Sequence, residues 1–354
     1  MTDLRTTLGS LELRNPVIAG SSELTMTEAG ILSCMSAGAG AVVAKSVNES
    51  PDAARQLDRA EYVLLTEDHR ASSWANPGKH DSLLNRSGLA QTLLPDWVRM
   101  LARCREAGKQ HGSELIGSIT VASAEGAARI AARLEPSVSA IEVNLSAPHG
   151  REVKSTTVRQ LTDADAVRRY TAAARDAVSC PLWIKLSGQS DDPVALAEAA
   201  AGAGADVVVL IGRFGGFMPN LDTWNPFIGS HGAIGGSWAL PVSLYWVSKC
   251  ALRLTDTPLV GTNGARDGAD VARFLLSGAR AVEMASAPLM HGPGVLGQAV
   301  AELDEYLTGR GVASLGEVIG ASVRRTVSYA EVQVGPGRPL PWDDERPAAK
   351  RAEP

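Results

Sequence analysis

Short apolar, β-branched runs recur along the chain with helical segments between them. They are PVIAGSS (16–22), AVVAKS (41–46), ELIGSI (114–119), AIEVNLS (140–146), LWIKLS (182–187), DVVVLIG (206–212), PLVGTNG (258–264) and AVEMASA (281–287). Strands that alternate with helices imply right-handed βαβ units and a parallel sheet. Eight such units predict a closed (β/α)8 barrel, an α/β fold.

The segments between the runs carry their own punctuation. TMTE (25–28) has the capping-box pattern that starts a helix. Asp192 and Pro193 suit the cap and first turn of another. SAGAGAVVAKS, AGAGADVVVLIG and LSGARAVEMAS share a Gly-Ala step, where glycine can take the left-handed conformation that ends a helix. Before the first run, TTLGSLELRN reads as a small hairpin that plugs the barrel bottom. Residues 60–113 and 213–257 are long connections after the second and sixth strands, of the kind that roof an active site or make an oligomer contact. Residues 1–320 read as one barrel domain and 321–354 as a partly disordered Pro- and charge-rich extension, with Trp342 as an anchor.

Composition narrows the function classes. A net charge of −5 without a basic run argues against nucleic acid as a partner. No apolar run reaches membrane-spanning length, and MTDLRTTLGS has no signal-peptide core, so neither a membrane partner nor export is expected. Cys34, Cys104, Cys180 and Cys250 are spread out, with no metal or cluster spacing. Unpaired cysteines fit a reducing, cytoplasmic setting.

In a barrel the chemistry sits at the C-terminal strand ends. Here those ends hold Lys45 and Ser46, Ser118, Asn144, Lys185, Gly212, Asn263 and Gly264, and Ala285 and Ser286. The last two tips, GTNGARDG and MASAP, are small enough for backbone N–H groups to approach a phosphate, although glycine there also serves plain turns. Alternation turns Lys45 and Lys185 inward. One such lysine would be read as snorkelling; two point to an anionic ligand. A Schiff-base lyase using Lys185 is the alternative chemistry.

These residues resemble the FMN-dependent barrels of the dihydroorotate dehydrogenase group, including the related domain of dihydropyrimidine dehydrogenase, over about residues 5–320. NLSAPHG is similar to NLSCPHG, AIGG…LP to GGIGG…KP, and GTNGARDGADVARFLLSGARAVEMASA to GTGGI..G.DA...L..GA..VQ..TA. The early LELRNPVIAGSS fits as well. The resemblance implies an oxidoreductase that moves a hydride between a CH–CH or C=C carbon and flavin N5. It implies FMN phosphate on Asn263, Gly264, Ala285 and Ser286, with further backbone contacts from Gly235 and Gly236. Lys185 would face the pyrimidine edge of the ring. Ala19, Gly20, Ser46, Ser118 and Asn144 would touch the ring or ribityl chain, and Lys45, Asn85 and Asn144 the substrate. A homodimer is implied by close relatives, and a nicotinamide-linked iron–sulfur route would need another chain.

Two departures bear on the substrate. The family's Cys or Ser base is Ala147 here, whose methyl accepts no proton. The substrate-binding Asn after the sixth strand is replaced at Gly212. Dihydroorotate itself is therefore not the expected substrate. His149, two residues past Ala147, is the candidate proton carrier, although PHG also occurs in relatives that keep the Cys. Arg213 would suit a carboxylate, and His231 could hang over the site. Trp74, Trp97, Trp224, Trp238 and Trp246 either wall a pocket or pack under the roof. A flavin-binding partner protein without catalysis is the remaining alternative.

Overall fold

The computed structural model describes residues 2–48, 58–120, 122–146 and 162–332. The chain opens with an antiparallel hairpin, β1 (Thr6–Leu8) and β2 (Leu11–Leu13), followed by β3 (Val17–Ala19) and β4 (Ala41–Val43). Then come β5 (Glu61–Leu65), β6 (Ala71–Ser72) and β7 (Ser82–Arg86). The middle of the chain forms β8 (Glu114–Thr120), β9 (Ala140–Asn144), β10 (Leu182–Lys185) and β11 (Val207–Leu210). Last are β12 (Phe214–Gly216), β13 (Gly232–Gly235), β14 (Leu259–Thr262) and β15 (Ala281–Met284).

Strands β3, β4, β8, β9, β10, β11, β14 and β15 close into a parallel barrel in that order. They are the eight runs read from the sequence, and the (β/α)8 barrel stands. The strands are shorter than the runs because the last residues of each run leave the sheet as loops. In the eighth run, Ser286 already begins the helix Ser286–His291.

Alternation sorts the strand residues. Val17, Val42, Leu115, Ile141, Ile184, Val208, Leu259 and Val282 pack outward against the helices. Ile18, Val43, Ile116, Ala140, Trp183, Val209, Val260 and Ala281 pack inward, together with Leu8 and Leu13 of the hairpin, which plugs the barrel bottom. Two residues further along, the same inward face becomes Lys45, Ser118, Glu142, Lys185, Thr262 and Glu283, all buried. The interior is thus an apolar layer beneath a polar and charged one.

The punctuation is mostly where the sequence put it. Asp192 caps the helix Pro193–Gly202 through a 3.0 Å bond from Ala195 N–H. Gly38, Gly204 and Gly278 all have positive φ, at 110°, 99° and 105°, in the three Gly-Ala steps. The helix Glu28–Ser36 differs: its cap is Thr27 rather than Thr25. Thr25 is drawn instead into a capping box with Ser22 around the short turn Glu23–Met26.

The two long connections build one object. β5, β6 and β7 from the first pair with β12 and β13 from the second in an antiparallel sheet, ordered β12-β13-β7-β5-β6. The compact unit that holds barrel and sheet ends at Val323. In the second unit, from Arg324, a turn at Tyr329–Glu331 is closed by a 2.9 Å bond from Ser328 N–H to Glu331. Trp342 lies outside the described residues. Among those residues, no helix is long and apolar enough to cross a membrane.

Helix-to-sheet packing is tight at Gly261 of β14, where a Cβ would fall 2.2 Å from the ring of buried Phe274. Gly261→Ala should cost about 1–3 kcal/mol by overpacking. Adding Phe274→Leu should return part of that loss; urea unfolding of both variants checks it, and additive losses would show that the ring is not the obstacle.

Candidate active site

The barrel mouth and the sheet above it enclose a cavity of about 1180 Å³, counting its open entrance. Its wall takes Lys45 and Ser46 from the β4 tip, Asn144 from β9 and Lys185 from β10. Gly212 and Arg213 follow β11, Asn85 comes from β7 and Gly235 from β13. Asn263, Gly264, Ala285 and Ser286 complete it from the last two tips. Residues read from scattered runs therefore meet in one place.

Other positions fall elsewhere. Ala19 and Gly20 are buried behind the wall, where a Cβ on Gly20 would lie 3.2 Å from Ala285 Cβ. Ser118 is fully buried and off the wall. A Cβ on Gly236 would come within 2.9 Å of Ser82 Oγ, so Gly236 packs against the sheet. His231 stacks on Phe217, with ring centroids 5.0 Å apart, and is not on the wall. None of the five tryptophans lines the cavity: Trp97 is core, and Trp74, Trp224 and Trp238 are exposed. Ala147 and His149 lie outside the described residues.

Lys185 reaches between two carboxylates. Its Nζ is 3.4 Å from Glu142 Oε2 on the adjacent strand and bonds Glu283 Oε2 on β15. Burial alone would pull the lysine down, but Glu142 and Glu283 outweigh it and hold the ammonium above its ordinary value. A Schiff-base lysine must be neutral to attack a carbonyl, so this arrangement does not support the lyase alternative.

The second cation is held differently. Lys45 Nζ bonds Glu23 Oε1 at 2.5 Å, and Tyr62 OH donates to the same oxygen at 2.7 Å. Burial pushes the Glu23 carboxyl up; Lys45, with Tyr62 and Arg213, pulls it down further, and it ends below its ordinary value. Among the described residues Arg213 hydrogen-bonds neutral partners, Asn85 Oδ1 at 2.5 Å and Ser87 Oγ at 3.0 Å, while Glu23 acts on it at longer range. Two cations and one carboxylate thus face the cavity from this side.

Two smaller details sharpen the chemistry. Asn144 Oδ1 accepts from Ser146 N–H and Oγ–H, at 2.9 and 2.7 Å. That leaves its NH2 as what it offers the cavity, a donor like Lys45 and Arg213. Gly212 has no space for a larger residue, since a Cβ would lie 2.2 Å from Ser146 Oγ.

Sequence reasoning missed Glu23, Tyr62, Glu142 and Glu283 as members of this site. Glu142 and Glu283 had a signal, the same inward parity as Lys185. Glu23 and Tyr62 had none, because a turn and the roof sheet bring them in.

Removing Glu23 leaves Lys45 buried without a counter-charge. Glu23→Ala should lower stability by about 3 kcal/mol, and Glu23→Gln by less. Since Glu23 sits below its ordinary 4.5, its contribution is present above that pH and is lost as pH falls further. Urea midpoints at pH 7 and pH 4 check both points: the wild-type advantage over Glu23→Gln should shrink at the lower pH.

Comparison with known proteins agrees with this architecture. The family model described as dihydroorotate dehydrogenase matches residues 3–307. The "Dihydroorotate dehydrogenase B (NAD(+)), catalytic subunit" of Desulforudis audaxviator is 30% identical over 324 residues, covering 90% of this chain and 96% of that protein. Proteins of the same name from Methanothermobacter thermautotrophicus and Geobacter sulfurreducens are each 29% identical, covering 90% of this chain and 97% and 98% of theirs. The chain belongs to the dihydroorotate dehydrogenase family of oxidoreductases.

Proposed function

We propose that the protein is an FMN-dependent oxidoreductase acting on a CH–CH or C=C bond of a small anion other than dihydroorotate. The observation that carries the substrate reading is Arg213, a half-buried guanidinium whose hydrogen bonds go to neutral partners, set with Lys45 on a side of the cavity where two cations share the carboxylate of Glu23. Two cations that share one carboxylate favour an anionic ligand, and a guanidinium suits a carboxylate.

The residues fit FMN. The cavity wall runs from the last two strand tips to Lys45 and Arg213, so it offers one group of contacts to a cofactor and another to a substrate. Asn263 and Gly264 both have positive φ, and a Cβ on Gly264 would lie 2.6 Å from the Leu240 backbone. Such a turn exposes backbone to an anion, so Asn263, Gly264, Ala285 and Ser286 would hold the phosphate, with Gly235 beside them. Lys185 would supply positive charge at the ring. FMN, when bound, accepts or gives a hydride at its ring nitrogen N5.

The chain's own groups divide the remaining work. Lys45, Arg213 and the Asn144 amide would bind and orient the anion. Glu23 favours the charged form of Lys45 against the burial that pulls it below its ordinary value. Gly212 offers no hydrogen bond from a side chain, and Ala147 no base. A site without those partners discriminates poorly for a ring built to use them. The relatives carry NAD(+) and "catalytic subunit" in their names, and a second, electron-carrying chain would connect this site to a nicotinamide. Homodimerisation in the cytoplasm is part of the same reading.

The purified protein should be yellow and release FMN on denaturation; a colourless protein that takes up no FMN would overturn the cofactor assignment. Mixed with dihydroorotate without oxygen, the flavin of the wild type should bleach at least about 10²-fold more slowly than that of Ala147→Cys, the low end of what a positioned base contributes. Rapid bleaching of the wild type would remove the substrate part and leave the cofactor part standing.

A further inference from the structure

We propose that Glu142 and Glu283 hold one shared proton beside Lys185, and that the hydroxyls of Ser118 and Ser46 carry it between this buried store and the cavity. The proposal deepens the flavin reading only in what enters the cavity; the store and the relay stand on the protein's own side chains.

The charge balance comes first. Two carboxylates and one ammonium are buried together at the top of the barrel, with Glu142 and Glu283 at 0% and 1% exposure. Left fully ionised, the group would carry one uncompensated negative charge away from water, which is costly. One proton makes it neutral. The hydrogen bonds say where that proton sits. Both oxygens of Glu142 are engaged: Oε1 accepts from Ser118 Oγ at 3.0 Å, and Oε2 faces Lys185. Glu283 has only Oε2 engaged; its Oε1 is buried without a hydrogen-bond partner among the described residues. A bare carboxylate oxygen there would be the worst place for the charge. The shared proton therefore sits on the Glu283 side, whose carboxyl hydrogen-bonds Glu142.

Among the described residues, the titratable groups that act on the Glu283 carboxyl are Glu142 and Lys185. From the neighbouring strands, Gly20 beyond β3 approaches it, and Thr262 Oγ1 of β14 donates to the Glu283 backbone carbonyl; neither titrates. Burial, and then the Glu142 charge, push Glu283 up to about 8 against the pull of Lys185. In the family pattern quoted above, the matching position is the Gln of VQ..TA, a residue that cannot exchange a proton in this way.

The route out is continuous. Ser118 Oγ lies 2.8 Å from Ser46 Oγ, which lies 3.3 Å from Ser21 Oγ. Ser46 and Ser21 line the cavity, whereas Ser118 does not. Proton transfer along this line is balanced. A proton arriving at Ser46 Oγ displaces that hydroxyl's own proton to Ser118. Ser118 passes its proton to Glu142 Oε1, and Glu142 shares it with Glu283. No electron moves in the relay. Negative charge that enters the cavity beside Lys185 draws a proton in by this path, and its loss releases the proton.

Three measurements separate store from relay. In the infrared spectrum, wild type at pH 7 should show the carbonyl band of a neutral, buried carboxyl; it should fade as pH rises through about 8 and be absent in Glu283→Gln. This arm needs no flavin and therefore does not fail with the cofactor reading. In flavin-loaded protein, electrochemical reduction followed from pH 6 to pH 10 counts protons per flavin. Wild type should take up one more proton per flavin at pH 9 than Glu283→Gln does, and the same number at pH 6.5. Ser118→Ala should keep the wild-type proton count but slow deuterium exchange of the carboxyl at least tenfold, with Ser118→Thr restoring it. A missing carboxyl band at pH 7, or identical proton counts at pH 9 in wild type and Glu283→Gln, would overturn the store. Unchanged exchange in Ser118→Ala would overturn the relay.

Discussion

A lysine ammonium buried at the mouth of a closed barrel has to be compensated, and much of the site follows from how that is done. Lys185 sits on β10, one carboxylate stands on the neighbouring strand, and the other comes across the mouth from β15. The interaction therefore ties β15 to β9 and β10, with which it shares no backbone ladder. It also fixes the floor of the cavity, since both carboxylates and the ammonium lie on the inward face where the apolar layer ends. Breaking such a group by removing one member leaves a buried charge, whereas replacing all of it by apolar groups would remove the reason for a polar cavity. Such a group at the mouth suits chemistry rather than packing.

The other cations show a second solution. Lys45 is compensated by a carboxylate within the chain, while Arg213 is left to amide and hydroxyl partners. Compensation inside the protein keeps a charge in place; its absence keeps a charge available. The cavity thus combines a charge-balanced floor with an unbalanced wall.

Much of this was legible in the sequence, and the limits have physical causes. The eight barrel strands were readable because parallel strands buried on both faces are short and nearly all apolar, and because each break in that pattern marks a tip. Lys45 and Lys185 were readable by parity. Glu142 and Glu283 obey the same parity, yet a carboxylate in an apolar run reads as an isolated oddity until its partner on another strand is known. Glu23 and Tyr62 could not be read at all. Their meeting with Lys45 depends on a short turn and on a sheet formed between segments far apart in the chain. The cap at Thr25 was misplaced for a local reason, because two overlapping capping patterns competed and the one around Ser22 took it.

The sheet over the mouth has a consequence for how the site comes into being. Its central ladder joins Leu83–Asn85 to Ala233–Gly235, segments separated by most of the barrel. Closing so long a loop costs entropy that is recovered only once the intervening units have docked, and pairings of this span form late in folding. The floor, by contrast, is assembled by the barrel ladders themselves. Ligand that bridges floor and roof stabilises the element with the least local support. Ligand occupancy and roof closure are thereby linked: whatever binds both walls favours the roofed form of the barrel.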